Sequence, residues 1–467
     1  MSKDPEKSAP QDTPQNTSQD AAQDAAQDAP MDKMMNDGIT ARLAALALLE
    51  DVLVRKQALD IALKSQEAFK ALPQRDRGFV RMMVSTALRR LGQVDDIINR
   101  ALEKDTPRNN MLQNILRMGV TQILFMDVAD HAAVDTSVRV AERQGMEKQK
   151  AFVNGLLRTV TRKGVEWRER QDEVRLNTPE WLLKIWIEDY GLGTAAEIAK
   201  ANLSEAPLDI TVRDPESKNF WASNFKATEM TTGTLRKASG GAVHELQGFD
   251  EGHWWVQDAA AAIPAQLFGD LDGAHVYDLC AAPGGKTLQL AAKGARVSAL
   301  DRSAKRLKRL TENLERMNLG DMVEVVTADA GSWKPLEPAG YILLDAPCSA
   351  TGTIRRHPDV AHLKAPQDIA RLENLQAALL ENAFAQMMPG GVLVYCTCSL
   401  QKAEGERQIE RFLAAHKDAQ RLPIKASELG GFDEAITDEG DLRILPYHQA
   451  ALGGMDGFYI SRLTKNA

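Results

Sequence analysis

The chain has 467 residues, 44% of them hydrophobic and 26% charged, with a formal charge of −8. That length suffices for two or three independent cores, and no apolar run of about 18 residues or more is present to cross a bilayer. The N-terminus is polar and acidic, without the basic-then-apolar order of a secretory signal, so a cytoplasmic protein without membrane association is expected.

Residues 1–38 hold the repeat "QDAAQDAAQDAP", too poor in aromatic and branched side chains to offset the entropy of ordering, and read as a disordered acidic tail. Its eight acids stand against three lysines, −5 of the −8, which leaves −3 for the rest. Net charge therefore does not exclude a nucleic-acid partner. Local basic candidates run from Arg75 to Arg90, from Arg302 to Arg309, and at Arg355 and Arg356. From 39 to 170 the apolar spacing is helical throughout: Leu43, Leu46, Ala47, Leu53 and Val54 share one face of the first segment. "DRGFVRMMVSTALRRL", "MLQNILRMGVTQILFM", "AAVDTSVRVAERQ" and "KAFVNGLLRTVTRK" follow, and an all-α domain is predicted. At "NTPEWLLKIWIEDYG" Thr178 is expected to cap a helix whose first residue is Pro179. Residues 175–265 then mix short helices with short strands such as "LDITVRD", a small α+β module.

From 266 to 467 strand and helix alternate: "HVYDL", "ARVSALD", "VEVVTAD", "YILLDAP" and "GGVLVYC", separated by segments such as "SAKRLKRLTENLERMN". That order predicts a parallel, doubly wound sheet with its ligands at the carboxyl ends of the strands. The first strand runs into "DLCAAPGGKT", which lacks the glycine of a P-loop five residues before Gly285, and no G-x-G-x-x-G is present. What Gly284 and Gly285 permit is close approach of backbone to a ligand. Asp301 stands where a carboxylate grips ribose hydroxyls, and Asp329 ends the third strand where an adenine would lie. Together these features suggest an adenosine-containing ligand without a polyphosphate, a description that S-adenosylmethionine meets.

The four cysteines all lie between 280 and 398, too few for a disulfide framework, and Cys280 and Cys348 stand apart from each other, so no metal is expected. "DAPCSATG" ends the fourth strand and "YCTCSL" the fifth, so Asp345, Cys348 and Cys398 should converge at one mouth of the sheet. Cys396, in mid-strand, reads as packing; Cys398, at the strand's exit, reads as a nucleophile.

"DLCAAPGGKT", "DAPCSATG" and "TCS" at these spacings resemble the RNA cytosine-5 methyltransferases, the family of the nucleolar Nop2/Sun-domain enzymes. "DRGFVRMMVSTALRRLG" and "AFVNGLLR" are similar to the NusB-like RNA-binding domain, and this fusion marks the bacterial small-subunit (16S) ribosomal RNA methyltransferases of the Sun (Fmu) type. The likeness runs over roughly 39–465. It implies a multidomain α plus α/β chain: a NusB-like all-helical RNA-binding domain at 39–170, a small α+β linker module at 175–265 and a Rossmann-like methyltransferase domain at 266–467. It further implies a monomer acting on 16S ribosomal RNA. Carried over by motif, the S-adenosylmethionine contacts are Cys280, Ala281, Ala282, Pro283, Gly284, Gly285, Lys286, Asp301, Asp329 and Asp345. The resemblance assigns to Cys398 the attack on C6 of a cytosine, to Asp345 the base edge and a proton near N3, and to Cys348 a part in release. Cys396 departs from the family, which often has a small residue there. DNA cytosine-5 methyltransferases use a Pro-Cys thiol as nucleophile, and Pro347-Cys348 leaves that exchange of roles open. Arg355 and Arg356 are expected to hold phosphates flanking an unpaired or opened cytidine. Three alternatives stand beside this reading: methylation of another RNA such as tRNA, methylation of protein or an exocyclic amine, and an RNA-binding factor with an inactive methyltransferase domain.

Overall fold

The computed structural model describes residues 38–102, 109–238, 241 and 243–466, so the polar repeat of the expected tail lies outside the described residues. The apolar spacing after it folds as read. Residues 38–49 are helical and continue into a π-helical turn at Glu50–Val54. Helices Gln74–Arg89, Leu91–Ala101, Asn110–Phe125, Asp130–Arg143 and Lys150–Glu169 pack round a core that includes Leu48, Leu49, Met83, Leu88, Ile97, Ile115 and Leu157. "DRGFVRMMVSTALRRL" is not one continuous helix: Arg90, with φ −109° and ψ 17°, separates two.

The boundary at Thr178 also differs from the expectation. Thr178 closes the short helix Glu173–Asn177, its N–H bonded to the Val174 carbonyl. Pro179, with ψ 134°, stands outside the next helix, which begins at Glu180. That helix, Glu180–Ala201, is kinked at Gly191, where φ is 81° and ψ is 164°. A four-stranded antiparallel sheet follows, built from β1 (Leu208–Val212), β2 (Thr228–Glu229), β3 (Leu235–Lys237) and β4 (Trp254–Val256) in the order β2-β3-β1-β4.

The large sheet takes β5 (His275–Leu279), β6 (Arg296–Asp301), β7 (Val323–Thr327), β8 (Ala339–Asp345), β9 (Met387–Thr397), β10 (Ala419–Arg421), β11 (Leu442–Ile444) and β12 (Phe458–Lys465). Its main order is β10-β12-β9-β8-β5-β6-β7, with β11 paired to β12. The five strands β5 to β9 are mutually parallel, and β5 and β6 are buried along their length after the first residue, as befits a sheet covered on both faces. β12 runs antiparallel beside β9. The chain leaves β5 for β6 on one side and reaches β8 on the other, so the crevice opens between the carboxyl ends of β5 and β8.

The segment that leaves β8 also docks on the helical unit. Asp359 Oδ2 accepts the Leu59 N–H at 2.9 Å and so caps the helix Leu59–Ser65, whose own N-cap residue, Ala58, has no side-chain acceptor. Arg89 Nη2 donates to the Arg355 carbonyl at 3.1 Å, and His362 Nε2 lies 2.8 Å from the Leu88 carbonyl. Asp359→Ala removes the cap and is expected to cost about 1 kcal/mol, the usual scale for such a loss. Asp359→Asn keeps an acceptor and should retain most of it. Denaturant unfolding of the two variants checks this: equal midpoints would show that the cap contributes nothing.

Candidate functional site

The turn after β5 is shaped by backbone. Cys280 has φ 65°, the Ala282–Pro283 bond is cis, and Gly284, with φ 107°, occupies the N-cap of helix Gly285–Ala292. A side chain at Gly284 would be strained by that φ and would also press to 3.0 Å from Leu310 Cγ. Ala281 N–H bonds the Leu300 carbonyl at 2.8 Å, fastening the turn to β6. Burial of the thiol pushes Cys280 up to about 12, so it stays protonated.

Two cavities flank this turn. The smaller, about 80 Å³, is lined by Cys280, Asp301, Arg302, Arg306, Asp329 and Pro347 among others. Asp301 Oδ1 accepts the Ser303 N–H at 2.9 Å, whereas the buried Oδ2 receives no hydrogen bond. Arg306 Nη1 approaches that oxygen at 2.9 Å as an ion pair, and Arg306 Nη2 donates to the Ala282 carbonyl. Asp329 is exposed and spends Oδ1 on the Gly331 N–H at 2.9 Å. A buried carboxylate oxygen with no hydrogen bond besides the Arg306 ion pair, in a cavity shared with Cys280 and Asp329, fits a ribose hydroxyl; the residues present fit an adenosyl group.

The larger cavity, about 520 Å³, lies within the roughly 300–1,000 Å³ usual for small-molecule sites. Asp278, Gly285, Lys286, Asp345, Arg356 and Cys398 are in its wall. Lys286 Nζ donates to Asp345 Oδ2 at 2.8 Å and sits 5.0 Å from the centre of the Phe458 ring. Burial lowers the Lys286 value, but the Asp345 carboxylate beside it more than offsets that, and the ammonium is held above the ordinary lysine value. Cys396, wholly buried in β9, turns its thiol to Asp345 Oδ1 at 3.5 Å; burial, then Asp345, hold it well above the ordinary thiol value. Its environment is that of an inert, protonated group.

Cys348 Sγ and Cys398 Sγ are 3.5 Å apart. The hydrogen bond to Cys398, then burial, raise Cys348 well above the ordinary thiol value. The structure thus brings Asp345, Cys348 and Cys398 together with Lys286, and sets Asp301 and Asp329 round the neighbouring cavity.

Arg355 requires a correction. Only 1% of its side chain is exposed, and it lies 3.6 Å from both Asp258 and Asp456, beneath the surface rather than facing a phosphate. Arg356 keeps a face on the larger cavity, with its guanidinium 2.6 Å from Asp258 and 3.3 Å from Asp456. The basic run from Arg302 to Arg309 is mostly exposed, Arg306 included, although that side chain pairs with Asp301. Sequence reasoning also passed over Asp278, although it begins the quoted motif. Its carboxyl is fully buried, accepts the Thr287 hydroxyl at 2.6 Å, and is pushed up to about 7, chiefly by burial. Among the described residues no cluster suited to a metal ion is present, and no helix is long and apolar enough to cross a membrane.

The Asp278 shift has a signed consequence. The unfolded carboxyl ionises near 3.8 and the folded one near 7, so between these values the folded state binds more protons and stability falls as pH rises. The slope is at most about 1.4 kcal/mol per pH unit. Cofactor-free Asp278→Asn should therefore melt above the wild type at pH 8, with the gap closing towards pH 4. Melting curves across that range check it, and a gap independent of pH would refute it.

Residues 266–464 match the family model of the 16S rRNA methyltransferase RsmB/F, and residues 39–162 match that of the NusB family. The chain is 33% identical over 446 residues to the ribosomal RNA small subunit methyltransferase B of Vibrio vulnificus, covering 92% of this chain and all of that protein. It is 32% identical over 457 residues to the probable ribosomal RNA small subunit methyltransferase B of Synechocystis, covering 91% of this chain and all of that one. Among solved structures, PH0851 superposes with a TM-score of 0.73 at 24% identity, covering 92% of this chain and 98% of that one. NSun6 from Pyrococcus horikoshii with SFG gives a TM-score of 0.54 at 18% identity, over 62% of this chain and 98% of that one. At these identities the two structures speak for the fold alone.

Proposed function

The chain belongs to the ribosomal RNA small subunit methyltransferase B family, and from that premise we propose that it methylates C5 of a cytidine in 16S ribosomal RNA through a transient bond from Cys398 Sγ to C6. The observation that carries this reading is the grouping of Lys286, Asp345 and Cys398 in one cavity wall, with the Cys348 sulfur 3.5 Å from that of Cys398.

Cytosine C5 is a weak carbon nucleophile. Addition of the Cys398 thiolate at C6 pushes the ring electrons towards N3 and C5, and the charge that would collect at N3 needs a proton. Asp345 meets the base edge, but a carboxylate paired with Lys286 at 2.8 Å has no proton of its own to give. The Lys286–Asp345 pair meets that edge together, the ammonium offsetting the negative charge that addition places on the ring. S-adenosylmethionine, when bound, supplies an electrophilic methyl group; Asp301 holds its ribose and the Gly284–Gly285 backbone lets it lie close to the sheet. Lys286 and Cys398 share the wall of the larger cavity, so the attacking sulfur and the ammonium face the same space. After transfer the C5 proton must pass to solvent entering the open cavity before the C6–S bond breaks. Cys348, protonated and in contact with Cys398, hydrogen-bonds the sulfur being expelled. Cys398 is taken as the nucleophile rather than Cys348 because Cys398 lines the larger cavity beside Asp345 and Cys348 does not.

Methylation of an exocyclic amine needs no thiol, so covalent trapping separates the two chemistries. RNA carrying 5-fluorocytidine should form a complex stable on a denaturing gel with the wild type. Cys398→Ala should form none and lose at least about 10³-fold in turnover, the scale on which removing a covalent catalytic group acts. A Cys398→Ala variant that still methylates would sink the mechanism. Cys348→Ala should transfer the methyl group yet accumulate a covalent complex with unmodified RNA, and its absence would remove the release role. Bisulfite mapping of 16S ribosomal RNA from cells without the gene should show one cytidine losing its protection; an unchanged map would refute the choice of RNA.

A further inference from the structure

Glu404 lies in the turn Lys402–Glu404 that follows β9, is 0% exposed, and forms none of the ion pairs found among the described residues. Its four acceptor contacts come from two loops and a helix. Oε1 accepts the Ser349 N–H at 2.9 Å and Gln376 Nε2 at 3.0 Å. Oε2 accepts the Ser349 and Ser399 hydroxyls, each at 2.5 Å. Both oxygens are thus engaged, each by two partners.

Those donors flank the thiols. Ser349 follows Cys348 and Ser399 follows Cys398, so a single carboxylate oxygen joins the residue beyond each cysteine. Gln376, from helix Pro366–Ala385, donates to Glu404 and to the Pro347 carbonyl at 2.9 Å, which holds Cys348 from its other side as well. Glu404 is itself anchored: the Tyr395 and Thr397 hydroxyls donate to its carbonyl at 2.9 and 3.4 Å. Parallel pairing of β8 with β9 ends at Asp345 and Cys396, before either thiol loop begins. Beyond it, two backbone bonds join the loops to β9 and its exit: Ala346 N–H to Cys396 and Gly352 N–H to Cys398, at 2.9 and 3.0 Å. Neither fixes the Cys348 side chain. Glu404 does not line either cavity, so it has no ligand of its own to explain its burial.

We propose that Glu404 is a positioning residue for the thiol pair: by gathering Ser349 and Ser399 it sets the Cys348 sulfur against that of Cys398 for expulsion of the adduct. The inference rests on the two-cysteine reading above. A buried carboxylate on four neutral donors is an expensive anchor, and it is stable only while all four point at it. Replacement by an amide of the same shape removes the charge and makes one acceptor a donor, which the two hydroxyls accept only by turning their protons to Gln401 Oε1 at 3.2 and 2.8 Å, so the grip on both loops loosens.

The test compares full-length Glu404→Gln, Cys348→Ala and the double variant. Glu404→Gln should lose about 10²-fold in kcat, the scale of a misplacement near 1 Å, with the KM for S-adenosylmethionine unchanged. It should also accumulate the covalent complex with unmodified RNA. In the double variant the loss should match that of Cys348→Ala alone, because Glu404 acts through that thiol. Additive losses, or a raised KM with no trapped complex, would overturn the proposal and leave Glu404 a packing residue. Should Glu404→Gln fail to fold, Ser399→Ala, which removes one hydroxyl donor, must show the same trapped complex with a smaller loss of kcat; a wild-type gel would overturn the proposal. Cys398→Ala distinguishes the two levels. If it still methylates, the covalent reading fails; if it is dead while Glu404→Gln behaves as the wild type, only the positioning role fails.

Discussion

A lysine ammonium and an aspartate carboxylate 2.8 Å apart, the lysine side chain 10% exposed, constrain everything built round them. Removing either partner would strand a charge in a desolvated place, at a cost of several kcal/mol. The pair therefore fastens the helix after the glycine turn to the end of β8, and it does so at the point where the parallel sheet changes direction. Cys396 closes one side of the carboxylate and Phe458 lies against the ammonium, while the other side of Asp345 faces the larger cavity.

The same economy recurs at the rim. Asp258, just after β4, and Asp456, just before β12, hold Arg355 and Arg356 from the loop after β8. Asp209 in β1 pairs with Arg236 in β3 at 2.6 Å, and Arg236 reaches on to the carbonyls of Leu452 and Gly454. The module between the helical unit and the large sheet is thus locked to the C-terminal segment by buried charges, and it supplies part of the cavity wall. Linker is too loose a word for it.

What could be read from the residues alone divides along physical lines. Strands β5 to β9 announce themselves as short branched and apolar runs with an acid or thiol at each exit, and a parallel sheet delivers such exits to one edge; Asp301, Asp345 and Cys398 were legible for that reason. β12 was not, because "FYISRLTK" alternates too little to reveal which neighbour it joins, and its antiparallel course is set by pairing with β9. Arg355 and Arg356 look alike in sequence. Only the placement of two aspartates about 100 residues away in each direction decides that one is entombed and the other keeps a face on the cavity. Arg306 and Glu404 were missed likewise: a basic helix face does not show which side chain pairs with Asp301, nor an acidic turn which one is buried. Thr178 shows the opposite limit, where a good local capping signal was outcompeted by a short helix ending on the same residue.

The loop after β8 carries three duties in fifteen residues. Cys348 meets the second thiol, Gly352 packs so closely that an added Cβ would lie 2.0 Å from the Gly457 carbonyl, and Asp359 caps a helix of the N-terminal unit. Backbone bonds from Gly352 to Cys398 and from Gly457 to Gly352 leave the first part of this loop little slack. Its far end is pinned through Arg89, Leu59 and Leu88. The contacts between the helical unit and the thiol therefore run along one short, doubly anchored stretch of chain. The chemistry and the unit that resembles an RNA-binding domain are mechanically continuous, because the residues that separate them in space are the same residues that hold them in place.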